Sequence, residues 1–222
     1  MNRVNSSFFR GFLHFRCATL TAGLGILLAT LPALAAAPKV MVFGDSLAAA
    51  YGLPPAQGWV ALLDARLKRR TPPATVINAS ISGETTRGGL SRIGADLAAH
   101  KPTLVLLELG GNDGLRGLPL RESRANLASI IRIIRKANAD VILAGIQIPP
   151  NYGLDYAREF RDMYPELAKQ YKLPPVPFLL DGIAENRDLF QSDGLHPSAA
   201  AQQRMLDNIW PSVENALRKK PR

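Results

Sequence analysis

A five-residue run near the carboxyl end of the chain holds the residue types best suited to chemistry. Asp193 precedes His196 by three residues, with Gly194 and Leu195 between them and Pro197 after them. A carboxylate at this spacing in a tight loop can orient an imidazole as a general base. By itself, the run is also compatible with a capped turn in which both side chains only satisfy backbone donors.

Ser46 offers a nucleophile for such a base. It follows Gly44 and Asp45 directly after a short apolar run, where a serine could also act only as a helix N-cap. Two further loops carry Gly83 and Asn112, whose amide groups could meet a developing oxyanion. A serine, a histidine with its carboxylate and two amide donors are together the groups that acyl transfer requires.

The segments that must position these residues alternate between two hydrophobic patterns. Five short runs of apolar, β-favouring residues indicate buried parallel strands. Between them, apolar residues recur at helical spacing, which indicates amphipathic helices. The predicted strands are Val40–Phe43, Thr75–Ile81, Thr103–Leu109, Val141–Ile146 and Val176–Leu180, and helices are predicted around Trp59–Leu67, Leu90–Leu97, Leu127–Ile134, Tyr156–Tyr171 and Met205–Leu217.

This alternation predicts both the fold class and the place of the site. Strand and helix repeated in this way favour an α/β fold, a three-layer α/β/α sandwich with a five-stranded parallel sheet of flavodoxin-like type. The functional cleft of such a sheet opens at the carboxyl ends of its strands. Ser46, Gly83, Asn112 and the Asp193–His196 run all follow predicted strands, so we expect them to meet at one edge.

Four blocks around these residues resemble the GDSL, or SGNH, hydrolase family. The blocks are Phe43–Leu47, Gly83, Gly110–Asp113 and Asp193–Pro197, and they occur in the order that the family has them. The loop Pro149–Gly153 is similar to the substrate loop of one branch, the bacterial periplasmic thioesterase I and arylesterase (lysophospholipase) group. The resemblance runs from residue 43 to residue 197.

The resemblance implies a role for each matching residue. Ser46 would be the nucleophile, His196 the base and then the acid, and Asp193 the group that orients His196. The oxyanion hole would consist of the backbone amides of Ser46 and Gly83 and the side chain of Asn112. The implied activity is that of a serine esterase, which hydrolyses carboxylic esters or thioesters through an acyl-enzyme and uses neither a metal nor an organic cofactor.

The substrate side of the site is less specific in the sequence. Apolar residues near the loop Pro149–Gly153 are expected to contact an acyl chain, although such residues often only pack in cores and loops. A carbohydrate O-acetylesterase of the same family is the alternative, and its pocket would expose polar or aromatic sugar-binding groups. The expected contact residues are Ile148, Tyr152, Leu154 and Phe160.

Three other kinds of protein share parts of this pattern. A non-catalytic binding module could use the same scaffold, because a fold does not decide a function. A flavodoxin-like electron carrier would need a phosphate loop, which the glycines beside Asn112 and Asp113 do not form. An ordinary α/β-hydrolase would place Ser46 in a Gly-x-Ser-x-Gly elbow, which this sequence lacks.

The first 35 residues are predicted to be a secretory signal peptide. Three arginines lead into an uncharged apolar stretch, Cys17–Leu34, and Ala33 and Ala35 form the small-x-small pattern of a cleavage site after Ala35. A retained membrane anchor is the alternative, which Pro32 disfavours. We therefore expect a periplasmic or secreted hydrolase domain of residues 36–222, without a stable membrane anchor.

Composition limits the remaining possibilities. At 222 residues with 47% hydrophobic and 20% charged side chains, the chain has the composition of one globular domain. Cys17 is the only cysteine, so cleavage would leave no thiol for a disulfide scaffold, a metal site or a cysteine nucleophile. The net charge of +9 would fall to +6. Because the basic residues are scattered, apart from Lys68–Arg70 and Arg218–Lys220, we expect a monomer that acts on a small molecule and not on nucleic acid.

Overall fold

A computed structural model of the chain describes residues 37–175 and 177–218. The predicted signal peptide, residues 1–35, lies outside the described residues. Within these ranges, none of the helices has the length and apolar character needed to cross a lipid bilayer. The strands are β1 (Lys39–Gly44), β2 (Thr75–Asn78), β3 (Leu104–Glu108) and β4 (Asp140–Leu143), and the α-helices are α1 (Trp59–Lys68), α2 (Thr86–His100), α3 (Gly111–Leu115), α4 (Leu120–Lys136), α5 (Leu154–Gln170) and α6 (Gln202–Arg218).

The four strands form one parallel sheet in the order β2-β1-β3-β4. Val40 of β1 aligns with Val76 on one side and with Leu104 on the other. The central strand β3 is buried along its whole length, whereas the edge strand β2 is half-buried. This is the strand order of flavodoxin-like sheets, so the expected fold class is confirmed.

The predicted fifth strand is much shorter than expected. Phe178 forms a single parallel bridge with Gly145, just beyond the end of β4. The Gly145 amide donates to the Pro177 carbonyl at 2.7 Å, and the Leu179 amide donates to the Gly145 carbonyl at 3.1 Å. Prolines have no N–H for a ladder, and Pro174, Pro175 and Pro177 crowd this segment. The sheet therefore has four regular strands instead of five.

Alternate residues of the strands supply two separate cores, one on each face of the sheet. Met41, Phe43, Val105 and Leu107 pack with α2, α4 and α5. Their neighbours in the sequence, which include Val40, Val42, Leu104 and Leu106, pack with α1 and α6. Because the side chains of a strand alternate between its two faces, these two clusters make the three layers of an α/β/α sandwich.

Helix boundaries follow from local chemistry at the two edges of the sheet. The Thr85 side chain accepts the Gly88 amide at the start of α2, and Lys101 ends that helix in the left-handed region with φ of +48°. In α4, the buried residues Leu127, Ile130, Ile131 and Ile134 form one apolar stripe against the sheet. Each crossover helix thus starts at the carboxyl edge of the sheet and runs to the opposite edge.

Candidate active site

Ser46 lies in a turn that directly follows β1. The Asp45 carboxylate accepts the Leu47 amide at 3.1 Å, and the Asp45 carbonyl accepts the Ala49 amide at 2.9 Å. Residues 45–52 make turns and not the helix that a serine N-cap would require, and the first α-helix begins only at Trp59. Ser46 is therefore half-buried on a bend at the carboxyl edge of the sheet.

Close packing beneath this turn explains the glycine that precedes it. Glu108, at the end of β3, accepts the Asp45 amide at 3.2 Å through its carboxylate. A Cβ at Gly44 would lie 2.5 Å from that same carboxylate oxygen and 2.9 Å from the Glu108 carbonyl. Only glycine therefore lets β1 and β3 approach closely at the point where the chain turns toward Ser46.

Asp193, His196 and Ser46 form a continuous hydrogen-bonded relay. The Nε2 atom of His196 lies 2.9 Å from the Oγ atom of Ser46, and its Nδ1 atom lies 2.7 Å from the Oδ2 atom of Asp193. The other carboxylate oxygen of Asp193 accepts the Leu195 amide at 2.9 Å and the His196 amide at 3.0 Å. The short spacing between Asp193 and His196 thus produces both a capped turn and an oriented imidazole.

The charge of Asp193 is stabilised by its neighbours. The backbone and side-chain hydrogen bonds from His196, with that from the Leu195 amide, lower the pKa of this carboxyl to about 2. Tyr51 covers the imidazole from another side, with its ring centroid 4.4 Å from that of His196. An anionic Asp193 keeps the Nδ1 proton on its side of the ring, which leaves Nε2 free to accept the Ser46 proton.

Gly83 and Asn112 reach the same cleft from the loops after β2 and β3. Gly83 has φ of +79°, a conformation that favours glycine. The Nδ2 group of Asn112 donates to the Glu84 carbonyl at 3.0 Å and to the Asp45 carboxylate at 3.2 Å. These bonds link the third loop to the first and second, so the four sequence blocks converge as predicted.

Asp113 anchors the short helix that carries Asn112. Its carboxylate is buried and accepts the Thr86 amide at 2.9 Å and the Ser123 hydroxyl at 3.0 Å. The Thr86 hydroxyl donates to the same carboxylate at 2.5 Å. Since Thr86 starts α2 and Ser123 belongs to α4, Asp113 fixes α3 between two longer helices.

Two buried carboxyl groups lie below the serine turn. Burial raises the pKa of Asp45 to about 6, against the opposing effect of its hydrogen bonds from Leu47 and Asn112. Glu108 is fully buried, and both burial and the nearby charge of Asp45 raise its pKa well above the ordinary glutamate range. Asp45 therefore holds the serine turn through its hydrogen bonds instead of assisting His196.

The cleft that these residues share has a volume of about 270 Å³. One wall is polar and contains Ser46, Gly83, Asn112 and His196. The rest of the lining is largely apolar, which suits the burial of a hydrocarbon group next to Ser46. The apolar lining residues are Leu47, Leu115, Ile146, Ile148, Pro149, Leu180 and Leu195, with the ring of Tyr51.

The structure brings one of the four expected substrate-contact residues into this lining. Ile148 lines the cleft. Phe160 is fully buried on the inner face of α5, 5.5 Å from Tyr164 between ring centroids. Tyr152 and Leu154 are exposed and lie outside the cleft lining.

Several lining residues were not anticipated from the sequence. Leu115 ends the helix that carries Asn112, while Ile146 and Pro149 follow β4, and Leu180 follows the bridge at Phe178. Their position after strands at the carboxyl edge was the signal that could have identified them. Among residues 37–175 and 177–218, no group of three or more histidine, cysteine, aspartate or glutamate side chains is arranged to hold a metal ion.

Comparison with known proteins gives a consistent result. Residues 42–204 match the GDSL-like Lipase/Acylhydrolase family. The chain is 49% identical to Esterase TesA of Pseudomonas aeruginosa over 82% of its own length and 91% of that protein. It is 40% identical to Thioesterase 1/protease 1/lysophospholipase L1 of Escherichia coli K12 over 78% of its length and 82% of that protein.

A solved structure agrees in fold as well as in sequence. The crystal structure of the psychrotrophic esterase EstA from Pseudoalteromonas sp., inhibited by monoethylphosphonate, superposes with a TM-score of 0.77 at 39% identity. The match covers 82% of this chain and 99% of EstA. The expectation of an ester hydrolase that acts on small molecules is thereby confirmed. The chain belongs to the GDSL-like lipase/acylhydrolase family.

Proposed function

We propose that the protein hydrolyses acyl esters and thioesters through a covalent acyl-enzyme on Ser46. The observation that carries this proposal is the relay from Asp193 through His196 to Ser46, with separations of 2.7 Å and 2.9 Å at the mouth of an apolar cleft. A hydroxyl held this close to an oriented imidazole is an activated nucleophile.

In the first half of the reaction, the Oγ atom of Ser46 attacks the acyl carbonyl while Nε2 of His196 takes the hydroxyl proton. The developing oxyanion is met by the backbone amides of Ser46 and Gly83 and by the Asn112 side chain, whose Nδ2 group exchanges its 3.2 Å bond to the Asp45 carboxylate for one to the oxyanion. When the carbonyl reforms, the bond to the leaving oxygen or sulfur breaks, and His196 returns its proton to that atom.

In the second half, His196 accepts a proton from water, and the resulting hydroxide attacks the acyl carbonyl. The acid leaves as the proton returns to Oγ of Ser46. Asp193 remains ionised throughout, because its pKa of about 2 lies far below neutral pH. Its charge stabilises the imidazolium and does not take up the proton.

The cleft lining favours an acyl chain over a sugar. Leu115, Ile146, Ile148 and Pro149 offer apolar surface, whereas recognition of a carbohydrate needs hydrogen-bonding groups along the pocket. Relatives named esterase, thioesterase and lysophospholipase support the same range of substrates. We propose that Ile148 contacts the acyl group, and that the chemistry extends to acyl-CoA and lysophospholipid substrates.

Hydrolysis of p-nitrophenyl esters from acetate to palmitate, with acyl-CoA assayed in parallel, tests this proposal. Ser46→Ala should lower kcat by on the order of 10⁴-fold or more, whereas Ser91→Ala on the exposed face of α2 serves as the matched serine control. A preference for medium or long chains would support the hydrolysis of acyl-chain substrates. Turnover of acetate alone would favour a carbohydrate O-acetylesterase, and absence of turnover would favour a binding module.

We also propose that the protein is exported, with residues 1–35 removed as a signal peptide. The support is the pattern of Ala33 and Ala35 after an apolar stretch. Expression of the full chain in a Gram-negative host, followed by amino-terminal sequencing of the protein from the periplasm and the medium, should give a first residue of Ala36. An intact amino terminus in the membrane fraction would instead support a retained anchor.

A further inference from the structure

Exposed large hydrophobic side chains occur at one edge of the molecule. In the described part of the chain, six of them are more than a third exposed, and each lies on a loop or helix start at the carboxyl edge of the sheet. We call this set the apolar rim. It consists of Tyr51, Ile81, Leu118, Tyr152, Leu154 and Leu195.

The apolar rim surrounds the cleft from different directions. Tyr51 and Leu195 flank His196, and Ile81 adjoins Ser82 and Gly83 in the loop after β2. Leu118 follows α3, and its carbonyl accepts the Tyr156 hydroxyl at 2.8 Å, which links that loop to the start of α5.

A bound acyl chain does not account for the whole rim. Tyr51 and Leu195 line the cleft, but Ile81, Leu118, Tyr152 and Leu154 do not. Leu154 is the most exposed of the six, at 76%. Isolated apolar side chains are normally scattered over a protein surface, whereas a concentration around one opening marks an interaction site.

The charges beside the rim indicate the kind of partner. Arg87, Arg116 and Arg121 are exposed in the loops and first helical turns after β2 and β3. Within the described ranges, none of them forms an ion pair with a carboxylate, whereas nearby Glu84 is paired with Arg92. Arg116 extends toward the cleft, because its Nη2 atom donates to the Gly83 carbonyl at 3.1 Å. Exposed Glu122 adjoins Arg121 and also forms no ion pair within the described ranges, so these three arginines outnumber the one unpaired carboxylate and give this side of the opening a net positive charge.

We infer that the apolar rim docks reversibly on an anionic phospholipid surface, with the cleft opening toward the lipid. Separate apolar side chains around an opening can insert shallowly into the region between headgroups and acyl chains, and adjacent arginines attract the anionic headgroups. If the proposed ester hydrolysis also holds, lipid substrates enter the cleft directly from this surface. The docking itself does not depend on the chemistry at Ser46.

Co-sedimentation with vesicles of phosphatidylcholine containing about 30% phosphatidylglycerol tests the docking. The wild-type protein should bind these vesicles, and binding should weaken in pure phosphatidylcholine and at high salt because the attraction to headgroups is screened. The double variant Leu118→Asp with Leu154→Asp should bind at least about tenfold more weakly. Its kcat/KM for soluble p-nitrophenyl acetate should stay within about threefold of the wild type, since neither residue lines the cleft.

A matched control carries the same added charge at the opposite edge. Ala99 and Ala137 are exposed at the carboxyl ends of α2 and α4, and the double variant Ala99→Asp with Ala137→Asp should bind vesicles like the wild type. The double variant Arg87→Gln with Arg121→Gln tests the attraction between the arginines and the anionic headgroups. It should make vesicle binding less dependent on salt. Circular dichroism of each variant checks that the fold is kept.

Three outcomes would overturn the docking. The wild-type protein could leave the vesicles unbound, or the rim and control variants could bind them equally. Light scattering could also show a dimer that only the rim variant dissociates, which would make the rim a contact between two copies of the chain. Ser46→Ala separates the proposals, because it should abolish hydrolysis while vesicle binding persists.

Discussion

The carboxyl groups of Asp193 and Asp45 lie in the same site, but their surroundings shift their pKa values in opposite directions. Hydrogen bonds from His196 and Leu195 lower the pKa of Asp193 to about 2. Burial raises the pKa of Asp45 to about 6. The partly exposed group thus carries the charge that faces the histidine, while the buried one organises the serine turn.

Asp45 should make the stability of the fold fall as the pH rises. The pKa of Asp45 is about 6 in the folded protein and 3.8 in the unfolded chain. The contribution of Asp45 to the free energy of unfolding is therefore complete below the unfolded pKa and is lost as the pH rises through the folded pKa. The free energy of unfolding of the wild type, relative to Asp45→Asn, should therefore decrease between about pH 4 and pH 7. Urea denaturation at several pH values measures this difference, and a constant or rising difference would show that the burial effect is absent.

Asn112 should affect the rate of the chemical step more than substrate binding. Removal of one oxyanion donor lowers kcat by about 10²- to 10³-fold in comparable sites, so Asn112→Ala should lower kcat to that extent with little change in KM. Because Asn112 also binds Glu84 and Asp45, circular dichroism must show that the loops keep their fold. An unchanged kcat in a folded variant would exclude Asn112 from the oxyanion hole.

At the scale of the elements, the close contact between α2 and the sheet depends on one glycine. A Cβ at Gly89 would lie 2.5 Å from Leu109 and 3.1 Å from Phe43, both fully buried. Gly94 is in the same helix, but a Cβ there would meet no atom within 4 Å. The two positions therefore separate the effect of packing from that of helix propensity.

Gly89→Ala should destabilise the protein by about 1 to 3 kcal/mol, because overpacking outweighs the gain in helix propensity. Gly94→Ala should stabilise it by about 0.5 to 1 kcal/mol through helix propensity alone. Urea denaturation of both variants gives the comparison. Equal effects at the two positions would mean that α2 does not pack as closely on the sheet as described.

Most helices and strands were predictable because each one shows its own hydrophobic pattern within a short stretch of sequence. Buried β1 and β3 read as continuous apolar runs, and α4 reads as an apolar stripe. The fifth strand was overestimated because Pro177 can accept a hydrogen bond, as it does from the Gly145 amide, but has no N–H to donate to the ladder. Ser46 does not act as the helix N-cap that its position also allowed, because residues 45–52 make turns and the first α-helix begins only at Trp59, where a helix was predicted.

The two sides of the site differ in how far the sequence could predict them. Asp193 and His196 are three residues apart, so their mutual geometry is set by one local turn. Phe160, by contrast, shares the inner face of α5 with Met163 and Leu167 and points into the core. The packing of α5 against the sheet decides that Phe160 faces the core and not the cleft, and no local motif encodes that packing.

At the scale of the whole molecule, the central contact joins distant parts of the chain. Ser46 and His196 are 150 residues apart in the sequence, but the Oγ atom of Ser46 lies 2.9 Å from the Nε2 atom of His196. The two hydrophobic cores on either side of the sheet therefore hold the loops together. The reactivity of Ser46 should accordingly depend on the intact fold.

Labelling with a fluorophosphonate probe, followed by mass spectrometric mapping, tests whether the fold activates Ser46. We expect one label per chain, on Ser46, in the folded protein, with labelling lost in urea and strongly slowed in His196→Ala. Ser46→Ala should not be labelled. A label on another residue, or equal labelling of Ser46 in the folded and the unfolded protein, would contradict the assignment of Ser46 as the activated nucleophile.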